Sequence, residues 1–223
     1  MTSKSRASRR EAAKHDGGRP ASRWLLPAAG IAIAAVAVLA VVLSQSGSGT
    51  GASPSPSVVV KEPVVTGDPL PEFTSSTEDA AKGLVAPVVE GFDYAGAPVS
   101  IAPNGKVTMV IFAAHWCSHC QREIPILQDW VDAGRVPADV ELVSVSTGIE
   151  PTAPNYPPEA WFAAEGWTVP IIVDPSNTVA AAYGLSSYPF FVILDGTGNV
   201  FARLAGEIPV SDLERILAAV PRG

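Results

Sequence analysis

The pattern of apolar and polar positions begins with one long apolar run. Residues 24–43 form 20 consecutive positions without a charged side chain, and they are rich in Ala, Val, Leu and Ile. As a helix with a rise of about 1.5 Å per residue, this run spans roughly 30 Å, the thickness of one hydrocarbon core. We therefore predict a transmembrane helix at residues 24–43.

A polar stretch follows the apolar run. Residues 44–57 consist of Ser, Gly, Thr, Gln, Ala and Pro and contain no large apolar side chain. Such a composition cannot bury enough surface to offset the entropy lost on folding. We predict a flexible linker at residues 44–74 that continues through a proline-containing stretch. Folded structure is expected to begin near residue 75, where Ser75 and Glu78 match a capping box ahead of a short helix at 75–82.

The remainder of the chain alternates between patterns typical of strands and of helices. Apolar runs and turn residues predict a hairpin at 92–101 and strands at 107–114, 140–146, 170–173, 190–194 and 200–204. Helical periodicity predicts helices at 117–133, 158–165, 177–183 and, capped by Ser211, 211–220. This alternation indicates an α/β domain at 75–223, with a mixed sheet of four or five strands and helices on both faces.

Charge is unevenly distributed along the chain. Residues 1–23 hold seven basic and two acidic side chains, whereas the rest of the chain holds 8 basic and 20 acidic ones. The basic flank predicts a cytoplasmic tail at residues 1–23 and an extracytoplasmic domain after the transmembrane helix. A cleaved signal peptide is the alternative, but the apolar run is longer than usual and lacks a small-x-small cleavage site. An acidic domain is unsuited to binding nucleic acid, whose phosphates would repel it.

The candidate chemistry lies where a buried strand is predicted to run into a helix. Trp116-Cys117-Ser118-His119-Cys120 occupies this junction and contains both cysteines of the chain. At the first helical turn, unpaired N–H groups and the helix dipole would stabilise a Cys117 thiolate, the attacking species in disulfide exchange. Cys120 follows one turn later on the same side. We predict a redox-active disulfide between Cys117, the nucleophile, and Cys120, the resolving thiol.

Three other roles for the cysteine pair remain open. A structural disulfide is possible outside the cell, but closing so short a loop would stabilise the fold by only about 2 kcal/mol. A zinc site needs about four ligands, and the only further candidates nearby are His115 and His119. Inert buried thiols are the third alternative. We expect no metal site.

The motif and several later segments resemble the thioredoxin superfamily, in particular the extracytoplasmic bacterial branch of TlpA, ResA and DsbE-type proteins. The likeness covers roughly residues 83–221. Its pieces are Val110–Ala113 leading into Trp116-Cys-x-x-Cys120, Glu123-Ile124-Pro125, Asp174-Pro175, Ala181–Leu185, Tyr188-Pro189, Phe191–Asp195 with Gly198, and Gly206. The resemblance implies a thioredoxin-like fold carried on a membrane anchor.

The resemblance also implies roles for residues away from the cysteines. Pro189 would be a cis-proline beside the active-site disulfide, and the backbone of Tyr188 would pair with a substrate strand. Glu123 would be a buried carboxylate that carries the proton of Cys120, the alternative being a solvated acid on the helix surface. Thioredoxin has a buried aspartate where this chain has Ile111. Proton transfer would therefore depend on Glu123 or on water.

His119 is the candidate for tuning the redox equilibrium, together with its neighbour Trp116. An imidazole in the loop could donate a hydrogen bond to the Cys117 thiolate or attract it when charged, and stabilising the reduced form makes the couple more oxidising. Cys-x-His-Cys resembles the loops of DsbA and of protein disulfide isomerase, whereas reductive members of the branch often carry Cys-x-Pro-Cys. The alternative for His119 is a surface residue without such a role.

Together these patterns predict a membrane-anchored, extracytoplasmic thiol–disulfide oxidoreductase that needs no cofactor and acts on the thiols or disulfides of exported proteins. His119 and the oxidising compartment favour an oxidase. A reductase in cytochrome c maturation, supplied with electrons by a membrane redox partner, is the alternative that Glu123 and the branch resemblance favour. A third possibility is a non-catalytic module that binds peptides on the face of Tyr188 and Pro189.

Overall fold

The computed structural model describes residues 61–222. The predicted cytoplasmic tail, the predicted transmembrane helix and the first part of the predicted linker lie outside the described residues. Within residues 61–222, no helix has the length and the apolar character needed to cross a bilayer.

The described residues form eight strands and four helices. In chain order these are β1 (Val64–Thr66), β2 (Val88–Phe92), β3 (Pro98–Ile101), β4 (Val107–Ala113), α1 (Ser118–Asp132), β5 (Val140–Ser146), α2 (Pro158–Ala164), β6 (Ile171–Val173), α3 (Thr178–Ala182), β7 (Phe190–Leu194), β8 (Val200–Ala205) and α4 (Val210–Ala219).

The central sheet has five strands in the order β6-β5-β4-β7-β8. β4 lies in the middle, parallel to β5 and antiparallel to β7, and each of its seven residues is buried. A strand covered on both faces needs a continuous apolar run, which is the pattern that β4 and β7 show. The predicted mixed sheet is confirmed.

Helices and loops cover both faces of this sheet with separate apolar cores. On one face, Ile124 and Leu127 of α1 pack with Leu213 and Leu217 of α4. On the other face, Val179 of α3 packs among residues of the sheet and of the segment before β2. The prediction of helices on both faces is thus confirmed, and α1 and α4 share one face of the sheet.

The segment before residue 75 is a correction to the predicted linker. β1 pairs antiparallel with β2, which also pairs with β3, so that a second sheet of three strands forms. Further on, the N–H groups of Leu70 and Phe73 donate to the carbonyls of Ala182 and Gly184, both at 2.8 Å. Leu70 and Phe73 are buried. Folded structure therefore begins before residue 75, because these apolar side chains find a surface on the domain.

The helix predicted at residues 75–82 is also wrong, because its polar side chains make other bonds. The Ser75 hydroxyl accepts the N–H of Thr77 at 3.2 Å, and the segment forms turns. Asp79 accepts the N–H of Ala81 at 3.0 Å and pairs with the buried Arg203 of β8 at 2.5 Å. This buried ion pair fixes the segment to the central sheet.

Ser211 does not cap the C-terminal helix as predicted. Pro209 occupies the cap position with extended backbone angles, and α4 begins at Val210. The carbonyl of Pro209 instead accepts the N–H groups of Asp212 and Leu213 at 2.8 and 3.1 Å, which places Ser211 inside the first turn. The predicted apolar face of the helix is confirmed by the burial of Leu213 and Leu217.

Candidate active site

The two cysteines lie at the junction between β4 and α1. Cys117 occupies the N-cap position of α1 with φ −73° and ψ 118°, and its N–H donates to the carbonyl of Ala114 at 3.0 Å. Cys117 therefore stands at the end of α1 where the open N–H groups of the first turn favour a negative charge, and its side chain makes no capping hydrogen bond to them. Cys117 is 8% exposed and Cys120 is fully buried.

Burial makes Cys120 a poor acid. Desolvation raises its pKa well above the usual range, a hydrogen bond from the backbone of Ala114 opposes this, and the charges of Cys117 and Glu123 raise it further. The Cys120 thiol therefore stays protonated until a base accepts its proton or the negative charges nearby are lost. Of the two sulfurs, the one at the helix cap and nearer to solvent is Cys117.

The loop that leads into β7, the neighbour of β4 in the sheet, faces Cys117. The Cys117 Sγ lies 3.8 Å from the carbonyl oxygen of Tyr188, and the Tyr188–Pro189 peptide bond is cis. The indole N–H of Trp116 donates to the carbonyl of Gly148 at 2.7 Å, and its ring meets that of Tyr188 edge-on at 5.7 Å. The structure thus brings three of the predicted site residues, Trp116, Tyr188 and Pro189, together beside Cys117.

Glu123 lies on the buried side of α1, one turn after Cys120. Its side chain is almost wholly buried, and its Oε1 accepts the N–H of Ile208 at 3.1 Å. Burial raises the pKa of Glu123, the Ile208 hydrogen bond opposes the rise, and the charge of Glu207 adds to it. The alternative of a solvated acid on the helix surface is wrong. A carboxyl group in this setting is suited to hold or release a proton near Cys120.

His119 does not hydrogen-bond with Cys117 within residues 61–222, contrary to the contact expected from the sequence. Its Nδ1 lies 2.6 Å from Oε1 of Glu207 and 2.9 Å from Nη2 of Arg122. Its side chain is 58% exposed. The imidazole contacts Glu207 instead of Cys117 because a hydrogen bond with a carboxylate is stronger than one with a sulfur.

The chain matches a known protein family. The profile of the AhpC/TSA family matches residues 66–203, more than half of the chain. The chain belongs to the AhpC/TSA family. Among curated relatives, the thiol-disulfide oxidoreductase ResA of Geobacillus kaustophilus is 28% identical over 117 residues, which cover 52% of this chain and 64% of that protein. The sporulation thiol-disulfide oxidoreductase A of Bacillus subtilis is 27% identical, over 53% of this chain and 71% of that protein.

Solved structures show the same fold. StoA from Bacillus subtilis is similar with a TM-score of 0.52 and 24% identity, covering 60% of this chain and 98% of that structure. A DsbF homologue from Corynebacterium diphtheriae is similar with a TM-score of 0.53 and 19% identity, covering 68% of this chain and 99% of that structure. The thioredoxin-like α/β fold predicted for this AhpC/TSA chain is confirmed.

Sequence reasoning missed Arg122 and Glu207 around the site of this AhpC/TSA chain, and it considered His115 only as a possible metal ligand. Arg122 stands three residues after His119, a helical spacing that could have indicated contact. Glu207 comes from the loop after β8, and no local pattern connects it with α1. His115 is buried; its Nδ1–H donates to the carbonyl of Pro154 at 2.7 Å, and its Nε2 accepts the N–H of Glu150 at 3.2 Å. His115 thus anchors the loop that supports Trp116.

The cysteine pair has no partners for a metal in the part of the chain that the structure describes. Across residues 61–222, no three His, Cys, Asp or Glu side chains are grouped so as to hold an ion.

The raised pKa of Glu123 predicts a pH-dependent stability. The folded state binds this proton more tightly than the unfolded state, so stability falls as the pH rises from the ordinary value of 4.5 through the folded value. The slope contributed by one group is at most about 1.4 kcal/mol per pH unit. In urea titrations at several pH values, the stability of the wild type relative to Glu123→Gln should decrease across this window. A difference that is independent of pH would contradict the assignment.

Proposed function

We propose that the protein is a thiol–disulfide oxidoreductase that acts through Cys117 and Cys120. The observation that carries the proposal is the asymmetry of the pair. Cys117 lies at the cap of α1 beside the Tyr188 carbonyl, whereas Cys120 is fully buried and holds its proton. Cys117 is thus placed to attack first, while Cys120 stays protonated until the second step of the exchange. The names of the curated relatives support the same reaction class.

The exchange proceeds by two displacements. The Cys117 thiolate attacks a disulfide of the client protein, so that a bond forms between the two proteins and the second client sulfur leaves as a thiolate. Cys120 then loses its proton and attacks the sulfur of Cys117, which releases the first client thiol. The client gains two electrons and Cys117–Cys120 becomes a disulfide. The reverse sequence oxidises the client.

Glu123 is proposed to receive the proton of Cys120 in the second displacement. The two side chains are one helical turn apart on the buried side of α1, and burial raises the pKa of the Glu123 carboxyl so that it can accept a proton more readily. Ionised Glu123 raises the pKa of Cys120. Passing the proton to the carboxyl removes this opposing charge as the thiolate forms, so that the step avoids two buried anions at once.

Tyr188 is proposed to position the client. Its carbonyl points at the Cys117 sulfur, and its ring packs edge-on against Trp116, which is 39% exposed. An extended client segment that pairs with the Tyr188 backbone would bring its own sulfur to Cys117, in the manner of strand addition.

The structure favours reduction of clients over the oxidase direction that the sequence favoured. The oxidase interpretation depended on the oxidising compartment and on His119 stabilising the Cys117 thiolate, and the structure bears on the second of these. Nδ1 of His119 instead faces Glu207, and a carboxylate beside the imidazole offsets any positive charge that would attract the thiolate. A thiolate with less stabilisation makes a more reducing couple. We therefore propose a reductase, with a membrane redox partner as the source of electrons.

The location of the domain is proposed from the sequence. The basic tail at residues 1–23 and the apolar run at 24–43 support an anchor with its N-terminus in the cytoplasm. A linker would then carry the folded domain outside the membrane. The clients would be the thiols or disulfides of exported proteins.

The reduction potential of the full-length protein in detergent, measured in glutathione buffers at pH 7, tests the direction. The proposed reductase should have a potential of about −270 mV, the range of thioredoxin. A value between about −120 and −200 mV, the range of DsbA and protein disulfide isomerase, would restore the oxidase interpretation. Failure of Cys117 and Cys120 to form a disulfide in any of the buffers would contradict the proposed reaction itself.

A further inference from the structure

Three consecutive residues in the loop between β8 and α4 each contact a different part of the candidate site. The N–H of Gly206 donates to the carbonyl of Pro189 at 2.8 Å. The Glu207 carboxylate meets the exposed side of α1, and the N–H of Ile208 donates to buried Glu123 at 3.1 Å. The position of Glu207 is therefore fixed by backbone bonds on both sides, so its charge stays at the mouth of the site.

The Glu207 carboxylate contacts the side chains of Arg122 and His119, which lie on the same helix as Cys120. Its Oε1 accepts from Nη2 of Arg122 at 2.5 Å and from Nε at 3.0 Å, and it lies 2.6 Å from Nδ1 of His119. Hydrogen bonds from Arg122 and His119 lower the pKa of Glu207 below its usual value. The cluster thus contains a permanent anion in the pH range where the cysteines react.

Arg122 also lies within electrostatic reach of the Cys117 thiolate. The hydrogen bond with Glu207 raises the pKa of Arg122, burial opposes this slightly, and the charge of Cys117 contributes in the same direction as Glu207. The guanidinium is thus shared between a carboxylate that it touches and a thiolate that it attracts from further away. Whatever holds Arg122 on the carboxylate weakens its effect on the thiolate.

We infer that Glu207 is a positioning residue that makes the Cys117–Cys120 couple more reducing by holding Arg122 and His119 away from Cys117. The inference rests on the proposed thiol–disulfide exchange and explains how a His-containing loop serves a reductase. Without the carboxylate, both side chains are free to turn toward the sulfur. The Cys117 thiolate then gains stabilisation, the dithiol form is favoured, and the couple becomes more oxidising.

Glu207→Gln in the full-length protein tests the inference. It keeps the size of the side chain and removes the charge. In glutathione buffers at pH 7 the equilibrium should shift about tenfold toward the dithiol form, which corresponds to about 30 mV. Since the cluster is largely exposed, the shift should shrink as salt is added. Arg122→Gln in the Glu207→Gln background should bring the equilibrium back toward that of the wild type.

Glu214→Gln is the matched control. Glu214 also pairs with an arginine, Arg135, but at the far end of α1 from the cysteines. This variant should keep the wild-type equilibrium. An unchanged equilibrium in Glu207→Gln, or a shift toward the disulfide form, would overturn the inference while leaving the proposed reaction intact. If the wild type itself formed no Cys117–Cys120 disulfide, the proposed function would fail instead.

Discussion

Replacing Cys117 by serine is expected to abolish thiol–disulfide exchange, whereas replacing Cys120 by serine should stop the reaction at the mixed disulfide. Serine keeps the shape of the side chain but cannot form a disulfide, so Cys117→Ser has no attacking atom. Exchange with a model disulfide should fall to the rate seen in buffer alone. Cys120→Ser still attacks through Cys117 but lacks the resolving thiol, and the adduct with the client should accumulate.

The two serine variants control for each other, because each removes one sulfur from the same buried site. Both should unfold at temperatures close to that of the reduced wild type. Exchange that persists in Cys117→Ser at the wild-type rate would contradict the assigned nucleophile. A Cys117→Ser protein that still performed its physiological task would support the peptide-binding alternative.

Replacing Asp79 by alanine is expected to destabilise the domain by about 3–5 kcal/mol, because it leaves a buried charge without its partner. The side chains of Arg203 and Asp79 are 0% and 3% exposed, and they lie 2.5 Å apart. Arg203 keeps hydrogen bonds to the carbonyls of Pro71 and Tyr183, which accept from its Nη1 at 2.8 and 3.0 Å. Those bonds do not neutralise the guanidinium. Urea denaturation measures the loss.

The neighbouring Glu78→Gln variant is the control for Asp79→Ala, since Glu78 is exposed and its replacement should change stability by less than about 0.5 kcal/mol. The double variant Asp79→Ala/Arg203→Leu should recover part of the loss, because an apolar side chain tolerates the site better than an unpaired charge does. A single variant as stable as the wild type would show that the ion pair does not hold residues 70–82 to the sheet.

The sequence predicts those strands and helices whose environment is determined by the local pattern of apolar and polar residues. β4 and β7 are continuous apolar runs, and each has one environment in which it is stable, between two covered faces. β1 is different, with three residues beside glycine and proline. It forms because it pairs with β2, a strand that lies more than twenty positions further along the chain. A pairing of that kind has no periodic signal in a short window.

The candidate site divides in the same way. The cysteines form one local motif, and Glu123 follows Cys120 by one helical turn, at a position where the family resemblance implies a buried carboxylate. Glu207 reaches His119 across 88 positions, and only the return of β8 to the sheet brings the two together. An exposed ion pair between distant segments leaves no trace in local composition. For that reason the sequence predicted an imidazole aimed at Cys117, and the structure has one aimed at a carboxylate.

Mapping the sulfur that carries the client is the most direct test of the proposed reaction. Full-length Cys120→Ser protein would be mixed with a protein disulfide, quenched in acid, digested and analysed by mass spectrometry for cross-linked peptides. We expect the client cysteine to be bonded to Cys117, with the same adduct absent from Cys117→Ser. An adduct on Cys120 in Cys117→Ser at a comparable yield, or no adduct in either variant, would contradict exchange through Cys117.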